Sequence, residues 1–470
     1  MKSYLPLCLL ASYGFTMTSC LDSKAMNKRP NVLILLLDDA GYNDFGFMGS
    51  KDIQTPNIDA LSEQGVIFSD AHVSASVSGP SRAGILSGRY QQRCGYECNL
   101  GDTLGLGLDE YTIANLFKDN GYATACIGKW HQGNAPEYHP NRRGFDHFFG
   151  FISGSRSYFY RPNKDDKPGN IHNLQLNGEQ IHFEGYMTDV LTDDATRYIE
   201  EQSGKNKPFM MYLAYNAVHA PMEATKSDLK RFENHPRQHL AAMTWAVDRG
   251  IGKVIDKLKE TGQYDNTLIF FLSDNGGAHA NQSSNYPLKG FKGNKFEGGH
   301  RVPFFMVNGC QHKGTYNGLI SSLDIMATAA AFAGIDTNAL QNPLDGVDII
   351  PYIDDKKQGS PHDELFWRKH DMAAMRTSRY KYIRVEGVGE VLYDIENDLT
   401  ETTDIKSNHT QALLQMRHKV SQWEKGLVNP LLWDEGIWND VTKEIHSDLM
   451  NNKEVSIFNP AQWKKKHQNK

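Results

Sequence analysis

Four short clusters hold residues able to do chemistry together: Asp38-Asp39, Lys129 with His131, His219, and Asp274-Asn275. Carboxylate and carboxamide oxygens are the donors that a hard cation takes. Imidazoles move protons near neutral pH, and a lysine holds an anion. A fifth candidate is Ser78, in the run Ser78-Gly79-Pro80-Ser81-Arg82. Pro80 suits the first turn of a helix, so Ser78 falls at or just before a helix N-terminus, where free N–H groups and the helix dipole favour an anion. Taken singly, each has a plainer explanation. Asp-Asn is a common turn pair, a lone Asp or His at a strand end is often a cap, and a serine before a helix often caps it.

The elements that must position these residues argue for taking them together. Each of the four clusters follows a short apolar run: Val32 to Leu37, Tyr122 to Ile127, Phe209 to Tyr215 and Thr267 to Leu272, with a further run at Pro303 to Val307. Helical periodicity lies between them, at Thr112 to Asn120, Asp189 to Glu201 and roughly Leu240 to Lys259. This alternation predicts an α/β fold with a large, mainly parallel sheet flanked by helices. In such sheets ligands gather at the carboxyl ends of the strands, so four polar clusters converge on one edge. Past residue 360 the pattern changes to short runs at Met375 to Thr377, Tyr380 to Arg384 and Glu390 to Tyr393, with a helix over Gln411 to Lys425. This predicts a smaller C-terminal antiparallel sheet plus helix, with the boundary near Gly359-Ser360-Pro361.

At 470 residues the chain is long enough for one large domain and a smaller partner. A formal charge of −6 and a pI of 6.3 exclude the basic face that nucleic-acid binding needs, so no nucleic-acid partner is expected. An anionic substrate must be met by a local basic cluster, and Lys464, Lys465 and Lys466 read as a solvated end. Lys2, the apolar stretch from Leu5 to Phe15 and Thr18-Ser19-Cys20 read as an export signal of lipoprotein type, with Cys20 as the lipidated first residue. Met17 stands where that cleavage box usually has Leu, and an ordinary secretory signal is the alternative. The expected organisation is thus a signal over 1–19, a catalytic α/β domain over 20–360 and a C-terminal subdomain over 361–470, located in the periplasm or at the outer membrane and held there by a lipid anchor only. Cys94, Cys98, Cys126 and Cys310 remain; a Cys94–Cys98 pair is open, and no disulfide framework is needed.

The segment Ser78 to Arg89 resembles the signature of the formylglycine-dependent sulfatases, which reads Cys or Ser, any residue, Pro, Ser, Arg, then Leu-Thr/Ser-Gly-Arg. Asn31 to Gly41, Gly128 to Gly133, Asn216 to Pro221, Ser273 to Gly277 and Gly290 to Pro303 resemble further motifs of that family, in its order. The resemblance runs from about Arg29 to Glu401. Departures are Asn43, where many members have Gly, His300 within the Glu-Gly-Gly stretch, and Leu399 in place of a usual Pro.

The resemblance implies an alkaline-phosphatase-like fold and hydrolysis of sulfate esters. It makes Ser78 the precursor of a formylglycine, installed by an anaerobic sulfatase-maturating enzyme. An aldehyde hydrate suits the reaction, because its second hydroxyl can collapse and expel the sulfate that a plain serine would keep. Asp38, Asp39, Asp274, Asn275 and residue 78 form the implied metal set, and its oxygen-only character points to Ca²⁺, with Mg²⁺ second. By matching position, Arg82 supports the hydrate and the metal site, while Lys129 and Lys292 clamp sulfate oxygens. His131 takes the proton that lets the intermediate collapse, and His219 with Lys292 protonates the departing sugar oxygen. A sulfated carbohydrate is the expected substrate, a sulfated galactose or amino sugar by preference, and Arg156, Tyr158, Trp367, Arg368 and Asp371 are candidate sugar contacts. The rival readings are a phosphatase or phosphodiesterase using unmodified Ser78 with a second metal, and a non-catalytic glycan-binding lipoprotein.

Overall fold

The computed structural model describes residues 1, 29–99, 104–205, 207–433 and 436–467. The expected signal and Cys20 lie outside the described residues. Among those described, no helix is long and apolar enough to cross a membrane.

In chain order the strands are β1 (Asn31–Leu37), β2 (Gly65–Phe68), β3 (Ala71–His72), β4 (Ala123–Lys129), β5 (His147–Phe151), β6 (Gln175–Leu176), β7 (Glu179–Gln180), β8 (Phe209–Ala214), β9 (Thr267–Ser273), β10 (Phe304–Val307), β11 (Gly314–Tyr316), β12 (Ile320–Ser321), β13 (Glu364–Lys369), β14 (Met372–Thr377), β15 (Tyr380–Val385) and β16 (Gly389–Asp394). Ten form one sheet in the order β11-β2-β10-β9-β1-β8-β4-β5-β6-β7, β3 pairs with β12, and β13 to β16 make a four-stranded sheet. The centre of the large sheet, β9-β1-β8-β4-β5, is parallel throughout. β1 is buried along its whole length because helices cover both faces of a parallel sheet. Its alternation sorts the core: Leu33, Leu35 and Leu37 enter one cluster, and Val32, Ile34 and Leu36 the other.

Register brings the strand ends level. Leu37 lies opposite Ser273, Leu36 opposite Ala214, and Ala214 opposite Gly128. The residues that follow these positions therefore emerge along one edge. The Pro303–Val307 run forms β10, which pairs antiparallel with both β9 and β2. Three C-terminal elements were not expected from the sequence, β13, the helix Ile437–Met450 and the helix Pro460–His467. The first begins and ends on charged residues, which masks its buried Leu365-Phe366-Trp367. The second buries Val441, Ile445 and Leu449 at four-residue spacing.

The C-terminal sheet is antiparallel and shares its core with the large domain. Phe296 and Leu319 pack with Trp367 and Ile383, while Tyr90 and Leu323 pack with Phe366 and Met375. A buried polar network crosses the same seam. Lys381 Nζ lies 2.9 Å from Glu297 Oε1 and 2.6 Å from His300 Nε2. His300 Nδ1 meets His72 Nδ1 at 3.0 Å, and His72 Nε2 meets Asp70 Oδ1 at 2.9 Å. Because an ammonium can only donate, the tautomers follow in order. Lys381 donates to His300 Nε2, at the expense of that nitrogen's longer 3.2 Å contact with Lys295 O, His300 donates from Nδ1 to His72 Nδ1, and His72 donates from Nε2 to Asp70. Arg301 joins Asp70 at 3.1 Å and Glu297 at 3.3 Å, and Arg376 reaches Asp70 at 3.0 Å.

Candidate functional site

Val77, in extended conformation, makes the N-cap of the helix Ser78–Ser87 without a side-chain cap bond. Ser78 is thus the first helical residue, and its hydroxyl is not used as a cap. Ser78 Oγ instead lies 3.2 Å from Asp38 Oδ1 and 3.1 Å from Asn275 Oδ1. Asp38 and Asp39 follow β1, Asp274 and Asn275 follow β9, Lys129 ends β4, and His131 lies two residues further on. Asp39 (φ 60°) and His131 (φ 57°) adopt left-handed backbone, which turns consecutive side chains into one space.

Asp39 Oδ1 accepts from Lys292 Nζ at 2.6 Å and from Asn275 Nδ2 at 2.8 Å. Lys129 Nζ donates to Asp38 Oδ2 at 2.5 Å. Arg82 donates from Nε to Asp274 Oδ2 at 2.8 Å, while its Nη2 stands 3.7 Å from Asp38 Oδ2. His219 lies 2.6 Å from the Ala220 carbonyl through Nδ1, which must donate there, and so turns Nε2 toward Asp39 Oδ2 at 3.7 Å. The structure therefore brings together Asp38, Asp39, Ser78, Arg82, Lys129, His131, His219, Asp274, Asn275 and Lys292.

The supporting loops hold this geometry from behind. Lys292 N–H donates to Gly277 O at 3.1 Å and Gly293 N–H to Ser76 O at 2.8 Å, so the Lys292 loop is stitched to the segments carrying Asp274 and Ser78. A Cβ on Gly276 would lie 1.9 Å from Gly298 O, a contact only glycine permits.

Three carboxylates, Asp38, Asp39 and Asp274, face three cations, Arg82, Lys129 and Lys292. Burial raises a carboxyl pKa, but Lys129 and its cationic neighbours outweigh it at Asp38, as Lys292 does at Asp39, and both acids are held below their usual range. Burial depresses Lys129. It depresses His131 well below the ordinary histidine range, aided by Lys129 and Arg82, which leaves a neutral imidazole. Lys292 rises despite its burial, because Asp39 is against it. Donor chemistry fits a hard cation at the strand ends, where Asp38, Asp39 and Asp274 offer carboxylate oxygens and Asn275 an amide oxygen; a ring nitrogen of His219 lies within 4.8 Å of ligand oxygens of Asp38 and Asp39.

Orphaned polar atoms belong to residues of this cluster and of the loop after β8. His131 Nδ1, Arg82 Nη2 and both side-chain polar atoms of Asn216 are buried without a hydrogen-bond partner. Asn216 was not singled out from the sequence, although the rule that selected Asp38 reaches it, two residues beyond the end of β8. Gln132 was also overlooked; its amide donates to Gly79 O at 2.9 Å, bracing the residue after Ser78.

The expected sugar contacts fare differently. Arg156 is enclosed and paired with Asp166 at 2.9 Å, and Tyr158 is buried with its hydroxyl 2.7 Å from Asn216 O and 2.8 Å from His219 O. Trp367 is buried in the seam, stacked on His300 at 3.9 Å and donating from its indole N–H to Val73 O. These three side chains are buried and already engaged by the protein's own groups. Arg368 pairs with Glu97 at 2.8 Å and Asp371 with Lys443 at 2.6 Å, both nearer the surface. No disulfide joins Cys94 and Cys98; the Cys98 thiol donates to Leu432 O at 3.4 Å.

Comparison with known proteins gives concordant results. Residues 30–335 match the family model described as Sulfatase. An uncharacterized sulfatase, YdeN, of Escherichia coli strain K12 is 33% identical over 394 residues, covering 72% of this chain and 68% of its own. The N-acetylgalactosamine-6-sulfatase of Sus scrofa is 30% identical over 386 residues, covering 75% and 71%. Among solved structures, Ps i-CgsB in complex with k-i-k-neocarrahexaose superposes with a TM-score of 0.82 at 36% identity, covering 89% of this chain and 97% of that one.

Proposed function

The chain belongs to the sulfatase family and is a sulfuric ester hydrolase, and from that premise we propose that it desulfates a carbohydrate through a formylglycine hydrate made from Ser78. One observation carries the reading: Ser78 Oγ sits at a helix start against Asp38 and Asn275, beside the buried cations Arg82 and Lys129 and the partly exposed Lys292. The carbohydrate class draws on relatives, since a similar structure holds a neocarrahexaose and a similar enzyme is named for N-acetylgalactosamine 6-sulfate.

Asp38, Asp39, Asp274, Asn275 and residue 78 would hold the metal, with Ca²⁺ the best fit to oxygen donors. Such an ion supplies charge neutralisation and a more acidic nucleophile. The chain's own residues do the rest. One hydroxyl of the hydrate attacks sulfur, and the sulfur–oxygen bond to the sugar breaks. Lys129 and Lys292 hold the sulfate oxygens as charge moves. His219 delivers a proton from Nε2 to the departing sugar oxygen, which its Nδ1 contact with Ala220 O leaves aimed inward. Neutral His131 then removes the proton of the second hydroxyl, the aldehyde reforms, and sulfate leaves; water restores the hydrate.

Peptide mass spectrometry on protein from an anaerobic host, beside a screen of sulfated saccharides, tests this. Loss of two hydrogens at Ser78 with sulfate release is expected, and Ser78→Ala abolishes turnover while keeping the fold. Unmodified serine with phosphate release instead would move the reading to a phosphoesterase. The same peptide map tests the proposed periplasmic or outer-membrane location, because a lipid-anchored protein carries its acyl mass on Cys20; a Cys20 without lipid, or cleavage elsewhere, counts against the anchor.

A further inference from the structure

The segment from Val428 to Trp433 is fixed by polar contacts along its backbone. Arg368 Nη2 donates to Val428 O at 2.8 Å, Leu431 N–H donates to Gly95 O at 2.9 Å, and Leu432 O accepts from the Cys98 thiol and from His370 Nε2 at 3.1 Å. Yet four of its side chains face solvent: Val428 is 49% exposed, Leu431 43%, Leu432 36% and Trp433 52%. A scattered exposed leucine needs no explanation, but four apolar side chains on a pinned segment form a surface built to meet something.

Trp433 is the centre of that surface. One face of its indole lies on the His370 ring, with centroids 4.6 Å apart and planes tilted by 26°. His370 is itself held at the β13–β14 turn in left-handed backbone (φ 55°), and its N–H donates to Glu97 Oε2 at 2.7 Å. The other Glu97 oxygen takes the Arg368 guanidinium. The indole thus stands on a rigid aromatic and ionic base, which lowers the entropy cost of binding against it.

Its position is continuous with the catalytic site. Cys98, which touches Leu432, precedes Asn99, whose Oδ1 accepts the N–H of Gly79 at 3.0 Å, and Gly79 follows Ser78. One loop, residues 95–99, therefore contacts both the nucleophile helix and the apolar ridge. These contacts tie the ridge to the backbone beside Ser78.

We propose that Trp433, stacked on His370, is a saccharide-binding platform that takes the apolar face of a pyranose ring flanking the sulfated unit. This rests on the carbohydrate reading above. A flat, fixed indole matches the face of a sugar ring, which presents C–H groups there. The platform makes the enzyme favour longer saccharides without touching the reacting atoms.

Steady-state kinetics of the matured, full-length enzyme on sulfated di- and hexasaccharides tests the assignment. Trp433→Ala is expected to raise KM for the hexasaccharide roughly five- to tenfold, the worth of one aromatic contact, with kcat and the disaccharide parameters unchanged and Trp433→Phe close to wild type. If Trp433→Ala also disturbs the disaccharide reaction, Trp433→Leu decides, since it keeps an apolar cover on His370 but no flat ring; the same hexasaccharide-specific rise supports the platform. An unchanged hexasaccharide KM in both variants overturns it. Should the variants instead dissolve a dimer in sedimentation, or abolish binding to anionic vesicles, with KM unaltered, the ridge serves a second copy or a membrane and the proposal is again overturned. Failure of the carbohydrate reading shows separately, as a wild type that releases sulfate from no saccharide.

Discussion

The strand ends and the seam between the two sheets each hold a cluster of buried charge, and the two are organised on opposite plans. At the strand ends, Asp38, Asp39 and Asp274 face Arg82, Lys129 and Lys292, and polar atoms of Arg82, His131 and Asn216 remain without partners. In the seam, Asp70 and Glu297 are shared among Arg301, Arg376, Lys381 and two histidines, and the chain of donors from Lys381 through His300 and His72 ends on Asp70. The first cluster leaves polar atoms of three residues unpartnered around Ser78, whereas in the second the contacts from Lys381 through His300 and His72 to Asp70 are all made under the lid of Trp367, with Arg376 Nε left 3.6 Å from Glu297 Oε1. Buried charge alone therefore does not mark a catalytic site; unpartnered groups gathered around a candidate nucleophile do. The seam is the second grouping with metal-ligand spacing, His72 with Glu297 and His300. Lys381 at 2.6 Å from His300 Nε2 already fills the position a cation would take.

The largest effect expected from this contrast is on stability at the seam. Glu297→Gln keeps shape but removes the carboxylate that Lys381 and Arg301 share, leaving cations buried without their counter-charge. A loss of about 3–5 kcal/mol in folding free energy is expected. Denaturant unfolding measures it, and adding Lys381→Met to the variant should recover part of the loss because both charges are then gone. Equal stability of wild type and Glu297→Gln would show that the seam is not the closed network its geometry describes.

A smaller effect belongs to the strand ends. Calcium that binds the folded state alone should raise stability by about 2.7 kcal/mol at a free concentration 100 times its Kd. Thermal unfolding with and without chelator reads this shift. Asp39→Asn should erase it, whereas Glu297→Gln should keep it on a lowered baseline. A shift of equal size in Asp39→Asn would separate the cation from this cluster and remove the distinction drawn here.

Much of the catalytic cluster was legible in the sequence because its residues obey a local rule. Asp38, Lys129 and Asp274 each stand at the end of an apolar run, and parallel strands deliver their ends to one edge. Ser78 was legible through Pro80, which fixes where the helix can begin. The seam was not legible, because its members come from unrelated elements: His72 from β3, Glu297 from a short helix, Lys381 from β15. No spacing links them, and only the packing of the two sheets makes them neighbours. The same reason explains Trp367 and Arg156. An aromatic or a cation suits a sugar, but in these positions the protein's own His300 and Asp166 arrive first. Trp433 escaped notice for the opposite cause: its significance lies in the fixed backbone beneath it, which residue type does not disclose.

The smallest effect concerns acid and one histidine, His446, among those that the packing of the C-terminal region buries in neutral form. Burial holds His72 and His300 below the ordinary range, and pushes His446 down to about 3. His446 has both nitrogens committed, since Nδ1 donates to Thr442 O at 2.7 Å and Nε2 accepts the Lys295 N–H at 3.1 Å. In the unfolded chain a histidine titrates near 6.5. As pH falls below that value the unfolded state takes up a proton that the folded state refuses, so stability is full above about pH 6.5 and declines toward the folded value near 3. Each such histidine contributes up to about 1.4 kcal/mol per pH unit in that window. Urea midpoints at pH 7.5, 6.5 and 5.5 should therefore fall with a steepening slope, and His446→Phe, although less stable throughout, should show a shallower one. An identical slope in the variant would mean that His446 is protonated in the folded protein, and that its neutral bond to the Lys295 backbone does not hold the seam in solution.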